Sequence, residues 1–343
     1  MTLLAACSPI EEDGDGEEEG GDTTTAAEET GGGDTTTGDD TATTAASGDG
    51  GGEGGQLSIA TGGTGGVYYP LGGGFATVIR ENVEGYDGSV METNASVDNM
   101  LLIQNGDADL ALALGDTVAL AVAGEADFEG APVEACAIGK MYSNFTQLVT
   151  SGDSGIASVA DLEGMRVSLG SPGSGTEVIA LRILEAAGLD PDADIERLQL
   201  GVDETTAGLR DGTIDAGFWS GGLPTGALVE YATTGDMVIV PTADFAEDLA
   251  STHGPYYLAQ DIPADTYENQ SEPVPTIVVP NILVVSSEMD EELQQNITAA
   301  IFDNKEQLVQ VHPAAEEFDA ATADDVEFVD ICPGSQAYYD EQG

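Results

Sequence analysis

Leu57-Ser58-Ile59-Ala60-Thr61, then Gly62-Gly63-Thr64-Gly65-Gly66, then Val67-Tyr68-Tyr69-Pro70 is the stretch that decides the fold. The first five residues read as a buried strand, because apolar and β-branched residues fill it and a glycine run ends it. Beyond the glycines, Phe75, Val78 and Ile79 recur at helical spacing. A strand that passes through a glycine loop into a helix is the unit of an α/β fold. Such a loop also turns backbone N–H groups and the positive end of the helix outward together.

Outward from this unit the alternation continues. Ser89–Thr93 predicts a strand, Asn99–Ile103 a helix ending at Gly106, and Asp109–Leu114 a strand broken by Gly115-Asp116. The arrangement then repeats. Met165–Leu169 predicts a strand followed by Gly170-Ser171-Pro172-Gly173-Ser174-Gly175-Thr176. A helix follows with Val178, Ile179, Leu181, Ile183 and Leu184 facing the core and Gly188 as its stop. A later helix ends at Gly212, and Thr213–Trp219 predicts a strand broken by Ser220-Gly221-Gly222. Two copies of strand, glycine loop and helix imply an α/β fold of two similar lobes. The first lobe takes residues 56–149 and 276–343, the second 150–275, with the chain crossing out near Gln147–Gly152 and back through Thr276–Val285. A helix is expected from about Asp290 to Val311. Two crossovers make a hinged pair with a cleft between them.

The two glycine loops would face each other across that cleft. Their backbone donors, with the hydroxyls of Thr64, Ser171, Ser174 and Thr176, suit a small anion. A lone glycine-rich turn is as often structural; two in matching positions favour binding. Lys140 is the best-placed basic candidate, since Arg182 lies too far along its helix and Arg210 falls on a solvent-facing turn. Tyr68, Tyr142 and Trp219 could wall the cleft, although core packing is the commoner role for each.

The 343 residues carry 64 acidic and 7 basic side chains, a formal charge of −57. Nucleic-acid binding is excluded, because phosphate contacts need Lys and Arg in quantity. Self-repulsion on this scale is tolerable where salt shortens its range, which points to a salt-adapted source. No stretch reaches the ~18 apolar residues of a membrane span. Leu4-Ala5-Ala6-Cys7 resembles a lipobox whose Cys7 takes a lipid. Met1-Thr2-Leu3 supplies neither a charged nor a long apolar leader, so residues 1–7 read as a truncated signal. Residues 8–55, of Gly, Thr, Asp, Glu and Ala, suit a solvated tether. Cys136 and Cys332 fit either one disulfide or two buried thiols. Two histidines and no close Cys pair argue against zinc or any other metal. Neither loop has P-loop or dinucleotide spacing, and His253 and His312 adjoin no nucleophile motif, so neither a cofactor nor catalysis is expected.

The residues quoted above resemble the TAXI family, the solute receptors of one branch of tripartite ATP-independent periplasmic (TRAP) transporters. The resemblance runs from Leu57 to the C-terminus. It is carried by Ile59–Gly73, Ser154-Gly155-Ile156 with Asp161-Leu162, Gly170–Thr176, Leu209–Ala216, Val274–Ile277, His312-Pro313-Ala314-Ala315 and Pro333–Tyr339. It implies a type II periplasmic-binding fold that closes on its ligand and a membrane permease partner driven by an ion gradient. It also implies a ligand such as glutamate, 2-oxoglutarate or a related dicarboxylate. The ligand contacts it implies are Gly63, Thr64, Gly65, Tyr68, Asn94, Ser96, Tyr142, Ser171, Ser174, Gly175, Thr176 and Trp219. Cys332-Pro333-Gly334 stands where the family often has His-Pro-Gly. The chain would then be an exported monomer held by its lipid on the outer face of the cytoplasmic membrane. A module that reports ligand to a signalling kinase is the alternative use of the same receptor.

Overall fold

A computed structural model describes residues 54–343; Cys7 and the acidic tether before Gly54 lie outside the described residues. In chain order, β1 (Gln56–Ala60), α1 (Tyr68–Asn82), β2 (Asp87–Met91), α2 (Ser96–Asn105), β3 (Leu110–Leu114) and α3 (Gly115–Ala123) open the fold. β4 (Ala135–Ser151) leads to β5 (Arg166–Ser168), α4 (Gly175–Ala186), β6 (Glu196–Leu198), α5 (Val202–Asp211), β7 (Ala216–Gly221), α6 (Gly226–Thr234), β8 (Met237–Val240), α7 (Ala246–His253) and β9 (Leu258–Ile262). β10 (Val274–Ser286) returns, and α8 (Glu291–Phe302), α9 (Lys305–Val311) and α10 (Pro333–Gln342) finish the chain.

All the strands join one sheet, ordered β2-β1-β3-β10-β4-β7-β5-β6, with β8 added on β4 and β9 on β10. β1, β2 and β3 pair in parallel, as do β6, β5 and β7, because a helix separates each from the next. Between the two parallel groups run β4 and β10. They are antiparallel to each other and paired from Ser286↔Ala135 to Ile277↔Thr146. These long strands are the only sheet links between the groups among the described residues.

Each group has its own core. Leu57, Ile59, Leu71, Phe75, Val78 and Ile79 pack with Ile297 and Ile301 of α8 on the first. Val167, Leu169, Ile179, Ile183, Leu184 and Phe218 pack on the second. Burying each such side chain stabilises the fold by about 1.5–3 kcal/mol. Cys136 at the start of β4 and Cys332 before α10 form a disulfide, which resolves the two readings left open by the sequence. It fixes the C-terminal segment to the first core.

The interior is not wholly apolar. Asp116, at the start of α3, is fully buried and accepts from Arg182 of α4 at 3.1 Å and from the Tyr257 hydroxyl at 2.6 Å. Its other oxygen accepts the Thr117 N–H at 2.8 Å. Arg182 also lies over the Tyr257 ring, 5.8 Å from its centroid. This network ties the helix after β3 to the helix after β5.

Candidate functional site

The site is built from helix starts. Tyr68, Ser96, Gly175 and Val202 are the first residues of α1, α2, α4 and α5, and all four line one cavity of about 360 Å³. The first turn of each helix leaves N–H groups without an intrahelical acceptor and carries the positive end of the dipole. α1 and α2 come from the first parallel group, α4 and α5 from the second, so the cavity lies between the two halves of the sheet.

The first glycine loop reaches the cavity through Gly62, Gly63 and Gly66. Gly66 has to be glycine, since a Cβ there would stand 2.9 Å from the Trp219 ring. That ring lines the cavity, and its Nε1–H donates to Thr225 Oγ1 at 2.9 Å, which fixes its tilt. Gly65 does not line the cavity. Its N–H donates to Asp203 Oδ2 at 3.0 Å and its carbonyl accepts the Ala227 N–H at 3.2 Å. Thr64 is exposed and also off the wall.

The second loop reaches the cavity through Ser171, Ser174 and Gly175. Ser174 caps α4 by accepting the Glu177 N–H at 3.1 Å. Glu177 in turn accepts the Gly173 N–H at 2.9 Å and pairs with Arg197, so the loop is braced by its own helix. Gly173 (φ +71°) gives its carbonyl to the N–H groups of Val97 and Asp98 at the start of α2, at 3.1 and 3.3 Å. Thr176 lines the cavity, and its Oγ1 accepts the Ser220 N–H at 3.1 Å.

Behind the wall stands a polar cluster. The Tyr68 hydroxyl accepts from Asn281 Nδ2 at 2.5 Å, and burial pushes its pKa well above the usual phenol range. Ser96 Oγ accepts the Leu114 N–H at 3.1 Å. Asn94 donates to Asp98 Oδ2 at 2.8 Å on the exposed rim. Tyr142, expected on the wall, is buried and off it, with its ring stacked on Phe318 at 6.4 Å and its hydroxyl without a partner among the described residues. Burial, then Tyr68 and Glu317, raise its pKa. Of the expected contacts, Gly63, Tyr68, Asn94, Ser96, Ser171, Ser174, Gly175, Thr176 and Trp219 are brought together; Thr64, Gly65 and Tyr142 are not.

Neither Lys140 nor any arginine lines the cavity. Arg182 is spent on Asp116, and Arg210 is exposed beside Glu230 at 3.5 Å. Three carboxylates do line it: Glu92, Asp203 and Glu204. Asp203 is held by Gly65, and Glu204 accepts the Gly201 N–H at 3.2 Å, closing the start of α5. The sequence placed the end of α5 at Gly212 but not this start. Its signal was a glycine followed by an acid at the fourth position, Gly201 to Glu204.

Residues 59–343 match the model of the NMT1-like family. Among solved structures, the binding-protein component of an ABC phosphonate transporter from Pseudomonas aeruginosa is 10% identical. Its TM-score is 0.50 over 76% of this chain and 78% of that one. A Bordetella bronchiseptica protein is 20% identical, with a TM-score of 0.49 over 83% and 80%. The periplasmic aliphatic sulphonate binding protein SsuA of Escherichia coli is 16% identical, with a TM-score of 0.44 over 83% and 78%. At 10% identity the likeness to the phosphonate-transporter component concerns the fold alone, which is the α/β, two-lobed type II periplasmic-binding arrangement expected from the sequence.

Proposed function

Because the chain belongs to the NMT1-like family, we propose that it is an extracytoplasmic solute-binding receptor that captures a small organic anion. The observation that carries this reading is the convergence on one cavity, without a basic side chain, of the starts of α1, α4 and α5, beside that of α2, which the Gly173 carbonyl already caps. Backbone dipoles bind carboxylates there without a cation in the wall. The carboxylates on the wall refine the ligand. Asp203 and Glu204 are engaged by backbone N–H groups, whereas Glu92 is exposed and has no partner among the described residues. An unengaged carboxylate beside helix starts suits a ligand with an ammonium group as well as carboxylates. Glutamate therefore fits better than 2-oxoglutarate or another plain dicarboxylate.

The resemblance to TAXI receptors supports delivery to a TRAP permease driven by an ion gradient, with the protein a monomer tethered through a lipid on Cys7. The lobe boundary falls within β4 and β10, so that residues 56–149 and 276–343 move against 150–275. A thermal-shift panel in molar salt tests the reading with glutamate, glutamine, 2-oxoglutarate, succinate and neutral sugars. A ligand bound at ~1 μM and supplied at ~1 mM adds about 4 kcal/mol, a rise of several degrees in Tm. The largest rise is expected with glutamate; a rise with sugars alone would overturn the anion site.

A further inference from the structure

The segment from Gly222 to Ala227, which leads into α6, is gripped along its length by the opposite half of the molecule. At one end the Ala227 N–H donates to the Gly65 carbonyl at 3.2 Å, while the Gly65 N–H donates to Asp203. In the middle, His312 Nε2 meets the Pro224 carbonyl at 3.1 Å. The other ring nitrogen, Nδ1, accepts the Ala314 N–H at 3.1 Å, so the proton sits on Nε2 and is donated to Pro224. At the far end Gly222 is closely covered: a Cβ there would lie 2.8 Å from the Tyr142 ring and 3.2 Å from Ala314. Gly65, Tyr142, His312 and Ala314 all belong to the half built on β1 and the C-terminal helices.

The gripped segment also controls the cavity wall. Thr225 Oγ1 donates to the Gly222 carbonyl at 2.9 Å and accepts from Trp219 Nε1. Displacing the segment therefore releases the Trp219 ring from its place against Gly66.

We propose that Gly222–Ala227 is the seat of a closure latch, with His312 and Gly65 as its two bolts, and that the latch sets how long a captured ligand stays. His312 is a positioning residue: it does not line the cavity and acts through Pro224, Thr225 and Trp219. The proposal rests on the receptor reading, since only a protein that opens and shuts needs a latch. It explains why Gly65, part of the glycine loop, lies off the cavity wall: its backbone serves closure.

The test uses the full chain in molar salt. Stopped-flow release of L-glutamate is compared for the natural protein, His312→Phe, Gly65→Ala and His312→Gln. A Cβ at Gly65 would lie 2.3 Å from Asp203 Oδ1, so that carboxylate must leave the Gly65 N–H and this link between the two halves is lost. Removing a bolt should accelerate release about five- to ten-fold with little change in the association rate. His312→Gln can place its amide near the position of Nε2 and should release close to the natural rate. If His312→Phe fails to fold, His312→Asn keeps the Ala314 contact, loses the reach to Pro224, and should behave like the Phe variant.

Binding of L-glutamate with unchanged release in both bolt variants overturns the latch and leaves the receptor standing. Should L-glutamate not bind, small-angle scattering of the ligand-free proteins decides instead. Bolt variants more extended than the natural protein support the latch, and indistinguishable curves overturn it.

Discussion

The Gly65 N–H and the Asp203 carboxylate meet at 3.0 Å, although Gly65 follows β1 near one end of the strand order and Asp203 follows β6 at the other. The sheet has therefore brought its two parallel groups face to face, with β4 and β10 as the fold line. A cavity walled by helix starts from both groups is the consequence, and the properties of the site follow from how closely those starts approach.

The approach of Gly66 to Trp219 leaves no room for a methyl group. Overpacking of this kind costs about 1–3 kcal/mol, here placed at the cavity wall. Gly66→Ala should therefore weaken glutamate binding by about five-fold or more while shifting Tm little. Calorimetric titration beside a melting curve separates the two effects.

Asp116 is stable as a buried carboxylate only while Arg182 and Tyr257 face it. Removing one partner of such a pair costs about 3–5 kcal/mol, because the other charge is left uncompensated. Arg182→Met should thus lower Tm by roughly 10 °C, and Arg182→Met with Asp116→Leu should lower it much less. Thermal melts in low and molar salt should give the same ordering, since a buried pair is little screened.

Both described histidines have lowered pKa values, chiefly through burial. His253 is further depressed by Arg182, while His312 is partly opposed by its bond to Pro224. A histidine that is harder to protonate when folded gives the unfolded chain more protons below its ordinary value of 6.5. That contribution to stability is full above the unfolded value, and it is lost as pH falls from there through the lowered folded values. Denaturant midpoints should therefore decline below about pH 6.5, and His312→Gln with His253→Gln should flatten the decline.

The disulfide between Cys136 and Cys332 spans a sequence separation of 196 residues. Loss of a long-loop disulfide typically costs about 2–5 kcal/mol. Cys332→Ala with Cys136→Ala should lower Tm accordingly, and reductant should lower the Tm of the natural protein by a similar amount and leave the double variant unmoved.

The two glycine loops were legible because strand, glycines and helix follow one another within a few residues. Other features depended on partners far away in the chain. Gly115-Asp116 looked like a break after β3, but Gly115 opens α3, and Asp116 is buried there because Arg182 and Tyr257 supply the counter-groups. β4 was recognised only at its end, since Ser143, Asn144, Thr146 and Gln147 interrupt the apolar pattern; all but Ser143 are fully buried at the fold line between the two cores. The helix expected from Asp290 to Val311 divides at Asp303-Asn304, where the Asn304 side chain turns back to the Ala300 carbonyl at 2.8 Å. The start of α5 escaped notice because β6 before it is only 3 residues long.

Calorimetric titration of the purified chain with L-glutamate, and in parallel with 2-oxoglutarate, tests the central claim most directly. The account predicts saturable one-site binding of glutamate, weaker binding of 2-oxoglutarate, and a smaller gap between the two in Glu92→Gln. Saturable binding of neutral sugars with no response to either acid would contradict it.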